Sequence, residues 1–475
     1  MGRRGAQGGG RPGSAARVAV TAGVLLAGPC VVPAYAVTSV GCTDADLIAA
    51  INASNGMAGG DTLSLASYCV YTLTDADGTL PTITQPLTVH GNNATIRRDP
   101  AATTQFRIFA VGASSLTMDT LTVMNGDATS TGGDGGGVLL STANGSLSTT
   151  DVNFQGNVAE NGGAVATTDD ATVSLTGGAL TDNRADGDGG AVYGTAAGTV
   201  TLSSVTVQRN RAASEGGGVS LTNFNATNIT NSVISDNTAV EDGGGVQYGG
   251  STSSTLSISG SRITDNRVIR SQNGGGGLFN DPEAGAGATL TNTLVSGNLL
   301  TGFDAANPGS NLGAGILHRE GTLTLNASKV AGNQIVGAGG QGAGIALWGS
   351  IGATDLNLNS TSVTGNLASG RYSQGGGLYT STNTATSSSV TVTDSHIDRN
   401  KVTGTGSAAG GIYNVDTIYS FITSSVNDNI APMAPAPGGV YTGVAITSVD
   451  GATTFMGNTP TNCLFSPQPV MNCTN

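Results

Sequence analysis

From about residue 130 to residue 460, two short phrases alternate along the chain. The first is a glycine pair or triplet followed by an apolar residue, which falls at Val138, Val165, Val192, Val219 and Val246, each 27 residues after the last. It recurs at Leu278, Ile316, Ile345, Leu378, Ile412 and Val440, where longer intervals place insertions in one loop of the repeat. The second phrase is an apolar residue, two variable ones and then Asn, as in Phe154 with Asn157 and Leu180 with Asn183. Its asparagines continue at Asn210, Asn237, Asn266, Asn298, Asn333, Asn366, Asn400, Asn429 and Asn458. Between the two phrases, apolar residues alternate with polar ones, as at Val200/Leu202, Leu256/Ile258, Leu323/Leu325, Leu356/Leu358 and Val390/Val392, which is the period of a half-buried strand.

Three short strand signals in each interval cannot close a sheet alone. They can if successive coils stack in parallel at about 4.8 Å, each strand pairing with its counterpart in the next coil. Connections of this kind are right-handed. The pattern therefore predicts an all-β chain, a right-handed parallel β-helix whose repeats run over 126–460 and form a rod roughly 50 Å long. The recurring Asn suits a turn position, since Asn tolerates the left-handed conformation and its amide can bond to the same amide one rung away. The period excludes leucine-rich and hexapeptide solenoids, and three strand signals per interval speak against a propeller.

The ends read as caps. Thr43-Asp44-Ala45-Asp46 can start a short helix in which Leu47, Ile48 and Ile51 share a face. Laid over the first coil, it covers apolar surface that would otherwise invite association. Residues 37–125 supply this helix and the first, less regular rungs; residues 461–475 form a C-terminal cap.

Composition adds the compartment. Residues 1–36 read as a signal peptide: Arg3, Arg4, Arg11 and Arg17 precede an apolar run from Val18 to Val32 that closes on Ala34-Tyr35-Ala36. Cys30 follows Pro29 and does not fit a lipid anchor. Cleavage would leave 14 basic against 31 acidic side chains, a net −17, which opposes nucleic-acid binding because a phosphate backbone needs a basic face. It would also leave no apolar span able to hold the chain in a membrane. Of five cysteines in all, Cys42, Cys69, Cys463 and Cys473 remain, and an even count in an exported chain points to disulfides. Sequence-local pairing, 42 with 69 and 463 with 473, is the simplest connectivity. Nothing in the pattern fixes an oligomeric state.

The repeat phrases resemble those of two groups of bacterial exported proteins. Gly162 to Val165 and Phe154 to Asn157 are similar to the GGA-I and F-x-x-N repeats of chlamydial polymorphic outer membrane proteins, and that resemblance implies a β-helix and adhesion. Cys42, Leu47, Ala50-Ile51, Gly60 to Leu63, Tyr71 to Thr74, Leu80-Pro81 and Leu87 to Asn92 resemble the N-terminal module of CSLREA-type proteins. The signature hexapeptide is replaced here by Cys42 to Leu47. After Asn458, 17 residues do not suffice for a membrane barrel, so free secretion to the extracellular space, or retention at the cell surface by other means, is expected.

Two rows of residues carry candidate chemistry. Asp134, Asp188, Glu215 and Asp242 precede the glycines in one register, and Asp188, Glu215 and Asp242 should stack on neighbouring rungs. Like charges at that spacing repel unless a cation, an arginine or water relieves them. Calcium is the cofactor such a row could hold, with none otherwise implied. Arg184 and Arg211 follow the turn Asn, four residues before Asp188 and Glu215, so the plain reading is a solvated row of salt bridges; a catalytic carboxylate and arginine set is the chemical one. His90, His318 and His396 lie near no titratable partner in sequence and read as surface or turn residues.

The second row is aromatic. Tyr193, Phe279, Tyr379, Tyr413 and Tyr441 each follow the apolar residue of the glycine phrase, so their rings should point outward, with Trp348 close by. Exposed rings in line can stack on sugar faces; a row of rings that stabilises neighbouring rungs is the structural reading. The chain is thus expected to be a secreted, non-catalytic rod that binds a carbohydrate or cell-surface ligand. The alternative is a polysaccharide lyase or hydrolase.

Overall fold

The structure is a computed structural model that describes residues 37–130, 133–270, 273–283, 285–301, 311–349, 352–382, 388–432 and 436–475. The signal peptide assigned to residues 1–36 lies outside the described residues. Residues 37–475 form one parallel β-solenoid, whose regular elements among the described residues are all strands except one helix.

One coil shows the plan: Ser146–Thr150, Asn153–Gln155, Val158–Ala159 and Val165–Thr167. Regular coils such as this one thus hold four short strands where the pattern suggested three. The first two are arms of a single bent sheet of 25 strands; the third strand joins a ten-stranded sheet and the fourth a twelve-stranded one. The extra strand comes from a bend within the first sheet, where Asp151, Gly177, Ser204, Asn231 and Gly260 hold positive φ in successive coils. All the pairings are parallel, and residues one repeat apart face each other, as Val173 faces Val200 and Leu175 faces Leu202. The inward residues of every arm are fully buried, so one apolar core runs the length of the stack.

The repeated asparagines are buried and form a continuous ladder. In each, the backbone N–H and the side-chain Nδ2 both donate to the Oδ1 of the next rung's Asn, at 2.8–3.1 Å from Asn157 through to Asn458. The left-handed conformation expected of these residues sits one residue earlier, at Gly156, Asp182, Arg209 and Asp236 (φ 62°, 58°, 55° and 57°). That residue makes the corner, which leaves the Asn free to turn inward and satisfy backbone groups that the corner strips of partners. A second ladder, of hydroxyls, lines the bend of the first sheet: the N–H groups of Val205, Ser232, Thr293, Ser328, Thr361, Ser395 and Ser424 donate to Ser or Thr oxygens one rung on.

A 12-residue helix, α1 (Asp44–Asn55), follows a short first strand, Thr38–Val40, with the Thr43 hydroxyl accepting from the Asp46 N–H at its N-terminus. Its Leu47 and Ile51 are fully buried in the core, each contributing about 1.5–3 kcal/mol by burial. Ile48 packs on the edge of the same cluster. Disulfides join Cys42 to Cys69 and Cys463 to Cys473.

Candidate functional site

The outer face of the twelve-stranded sheet carries both rows singled out by sequence. Its outward positions form one register column, Leu139, Ala166, Tyr193, Ser220, Gln247, Phe279, Leu317, Ala346, Tyr379, Tyr413 and Tyr441. Beside it run Asp134, Asn161, Asp188, Glu215 and Asp242, each just before a left-handed glycine.

The acidic row is a hydrogen-bonded flank. Asn161 donates to Asp134 at 2.9 Å, and its own Oδ1 accepts from the Asp188 N–H at 2.8 Å. Asp188 in turn accepts from the Glu215 N–H at 2.9 Å. Asp242 is fully buried and accepts from Asn273 N–H, Asn273 Nδ2 and Gly274 N–H at 2.8–2.9 Å. Burial first, then the charges of Asp188, Asp242, Glu241 and Asp281, push the Glu215 carboxyl up to about 7.

The arginines do not reach this row. Arg184 and Arg211 are register neighbours on the ten-stranded sheet, and Arg184 pairs with Asp186. At Asp188 the expected solvated salt bridge therefore gives way to a backbone amide, that of Glu215, because the glycine turn carries the acids around the corner from the arginines. Among the described residues, no three His, Cys, Asp or Glu side chains converge as a metal site.

The aromatic row is stacked on itself. Tyr379 and Tyr413 lie 5.8 Å apart at 15°, and Tyr413 and Tyr441 4.5 Å apart at 9°. Tyr379 and Phe279 are buried in an outer cluster with Leu312, Leu317 and Ala346, against which Trp348 and Tyr413 pack. Leu312 is brought there by a two-stranded sheet, Asn311–Leu312 with Gly340–Gln341, that the repeat did not announce. Burial raises the Tyr379 and Tyr413 hydroxyls above the usual phenol range. The ring faces are thus occupied by one another. Tyr193 stands apart and half-buried, between Ala166 and Ser220 in register.

Two of the histidines depart from the sequence reading, and His396 is exposed as that reading expects. His90 Nδ1 lies 2.6 Å from Asp119 Oδ2, a pair set by the register of two early strands. His318 is buried in the core, bonded to Asn280 at 2.7 Å and to the Gly321 carbonyl at 3.1 Å, and desolvation lowers it to about 4, so it is neutral at physiological pH. His396 lies 2.9 Å from the Ser425 hydroxyl.

A face that sequence reasoning passed over is the first arm of the bent sheet. One outward column reads Thr62, Thr88, Thr117, Ser148, Ser174, Thr201, Asn228, Ser257, Thr289, Thr324, Asn357, Thr391, Ser420 and Ser448 in unbroken register. A second, two residues on, reads Thr150, Thr176, Ser203, Thr230, Ser259, Thr291, Asn326, Asn359 and Thr393. Every member named is Thr, Ser or Asn; the second column runs on to Asp119 before Thr150 and to Ile422 after Thr393. The signal was present as the polar partners of the alternating pattern, in phrases such as Thr199-Val200-Thr201-Leu202-Ser203 and Ser389-Val390-Thr391-Val392-Thr393.

No family model matches the chain, and no curated protein matches it significantly. Among solved structures it is similar to the A-module of the mannuronan C-5 epimerase AlgE6 of Azotobacter vinelandii, at 13% identity and a TM-score of 0.28, over 91% of this chain and 96% of that one.

Proposed function

We propose that the chain is an exported, non-catalytic binding rod that lies along an extended, uncharged surface or glycan through the polar face of the bent sheet. The observation that carries this reading is the paired column of hydroxyl and amide side chains, continuous over the regular coils and free of charge. Export is supported by the two disulfides, which form and persist in oxidising compartments. Among the described residues, no helix is long and apolar enough to cross a membrane. The test is co-sedimentation of the purified chain with insoluble surfaces and glycans, with and without calcium, while soluble products are assayed. Retention without turnover supports the reading. New reducing ends or unsaturated products overturn it in favour of a lyase or hydrolase.

The catalytic alternative has one observation on its side, the Glu215 carboxyl held near 7 among Asp188, Asp242 and Asp281, which is where a general acid is poised at neutral pH. The same shift makes a stability prediction. A folded-state value raised from 4.5 to about 7 means the folded chain binds more protons between those two pH values. Stability is then lost as pH rises through that window, and the penalty is complete above it. Glu215→Gln removes the penalty, so it stabilises the coil by about 2 kcal/mol at pH 8, after discounting for partial exposure, and by nothing at pH 4. Chemical denaturation of the two proteins at both pH values checks this; equal stability at pH 8 rejects the raised carboxyl and the acid role with it.

A further inference from the structure

We infer that the polar face of the bent sheet binds ice, an assignment that rests on the binding reading above and names its surface. From Thr150 to Thr393 the two outward columns run together without a register shift. They make a grid with a repeat of about 4.8 Å along the rod and roughly 6.6 Å across it. Much of the grid is Thr, whose branched Cβ restricts χ1, so hydroxyl and methyl are held in place before any ligand arrives. The nine coils extend about 38 Å by the same rung spacing.

The charge distribution is an independent observation and points to a neutral partner. The chain carries 31 acidic and 18 basic side chains, yet none stands in either column over these coils. Equivalent outward positions elsewhere hold Arg262 and Lys329 on the second arm, and Arg184, Arg211 and Arg267 on the ten-stranded sheet. A polyanionic glycan or a lipid headgroup would be met with basic side chains; the two columns carry neither sign, and the one charged outward side chain beside them on this arm over these coils, Asp355, is an acid.

Ring chemistry separates the remaining neutral partners. Sugar faces of a glycan crystal stack on aromatic side chains, and this grid has none; Tyr379, Tyr413 and Tyr441 are stacked on one another on a different sheet. A single soluble polymer would engage one column. A grid ordered along two axes fits a solid ordered along two axes, and ice is the neutral solid whose surface is wholly hydrogen-bond donors and acceptors. Each contact is worth little more than a bond to liquid water. Only a rigid array, which loses no conformational freedom on docking, can add such contacts into binding.

The test uses the whole chain and three readouts: partition into a slowly growing ice front, inhibition of ice recrystallisation, and retention on crystalline chitin and cellulose. Thr289→Lys with Thr324→Lys places two long cations on adjacent rungs of the first column, pointing outward. Thr206→Lys places one on the other arm of the same sheet and serves as the control. The unaltered chain and the control are expected to enter ice and block recrystallisation. The double variant, with an unchanged melting temperature and circular dichroism, loses at least about tenfold in recrystallisation activity. Exclusion of the folded chain from ice, or a double variant as active as the control, overturns the assignment. Retention on chitin or cellulose without ice binding overturns ice while leaving the binding reading; retention on none of the three removes both.

Discussion

Asn298→Ala is expected to lower the stability of the rod by about 3–5 kcal/mol, the larger part of what a domain commonly has to spare. Asn298 is fully buried. Its Oδ1 accepts from both Asn266 N–H and Asn266 Nδ2 at 3.0 Å, while its Nδ2 donates to the Ile263 carbonyl at 3.0 Å and to Asn333 Oδ1 at 2.9 Å. Truncation takes from Asn266 N–H and the Ile263 carbonyl the partners named here, each at about 1–3 kcal/mol, removes one of the two bonds of Asn266 Nδ2, and leaves a cavity that water reaches poorly. Because each coil touches only its neighbours, the damage is local in space but divides the rod, so one unfolding transition should become two. Asn458→Ala, at the end of the ladder where Asn462 is the next acceptor, should cost less. Calorimetry and hydrogen exchange on Asn266 and its neighbours read both effects; a single transition within 1 kcal/mol of the parent would show that the ladder is ornamental.

The architecture was legible because its requirements are periodic. A buried amide that must meet its own copy one coil away forces Asn to recur, and a corner with no room for a side chain forces Gly to recur. Both left a visible period of 27 residues. What failed to show was anything decided by the corner itself. The left-handed residue was misplaced by one position, since Asn183 and Asp182 can each adopt that conformation and only the direction of the side chain tells them apart. The partner of Arg184 was misassigned because the glycine turn separates it from Asp188 by a change of sheet. Glu215 looked solvated because its burial comes from neighbouring coils. The His90–Asp119 pair joins residues 29 apart in the irregular first rungs, where the register shifts between His90 and Ala94. The polar grid was in view throughout, but a Thr or Ser in an alternating strand is so ordinary singly that only the stacked register gives it a pattern.

Gly244→Val should cost about 4 kcal/mol or more, whereas Gly365→Asp should cost less than about 1 kcal/mol, although both are glycines of the same repeat. At Gly244 an added Cβ would sit 2.4 Å from the Gly276 carbonyl oxygen and 2.8 Å from the Arg267 carbonyl carbon, both backbone atoms of the next coil. Neither can yield without parting the ten-stranded and twelve-stranded sheets where they meet. The same column accepts a single methyl at Ala314 and Ala343, so Gly244→Ala should fall between the two. Gly365 has open space beside it and needs only its positive φ of 66°. Asp tolerates that conformation, and Asp182, Asp236, Asp265 and Asp428 hold the equivalent corner in other coils. Thermal unfolding of the three variants separates the two demands made on glycine here, close approach and handedness. If Gly244→Val melts with the parent, the meeting of the two sheets is looser than these distances require, and the close stacking that sets the cross-section of the rod is lost as an explanation.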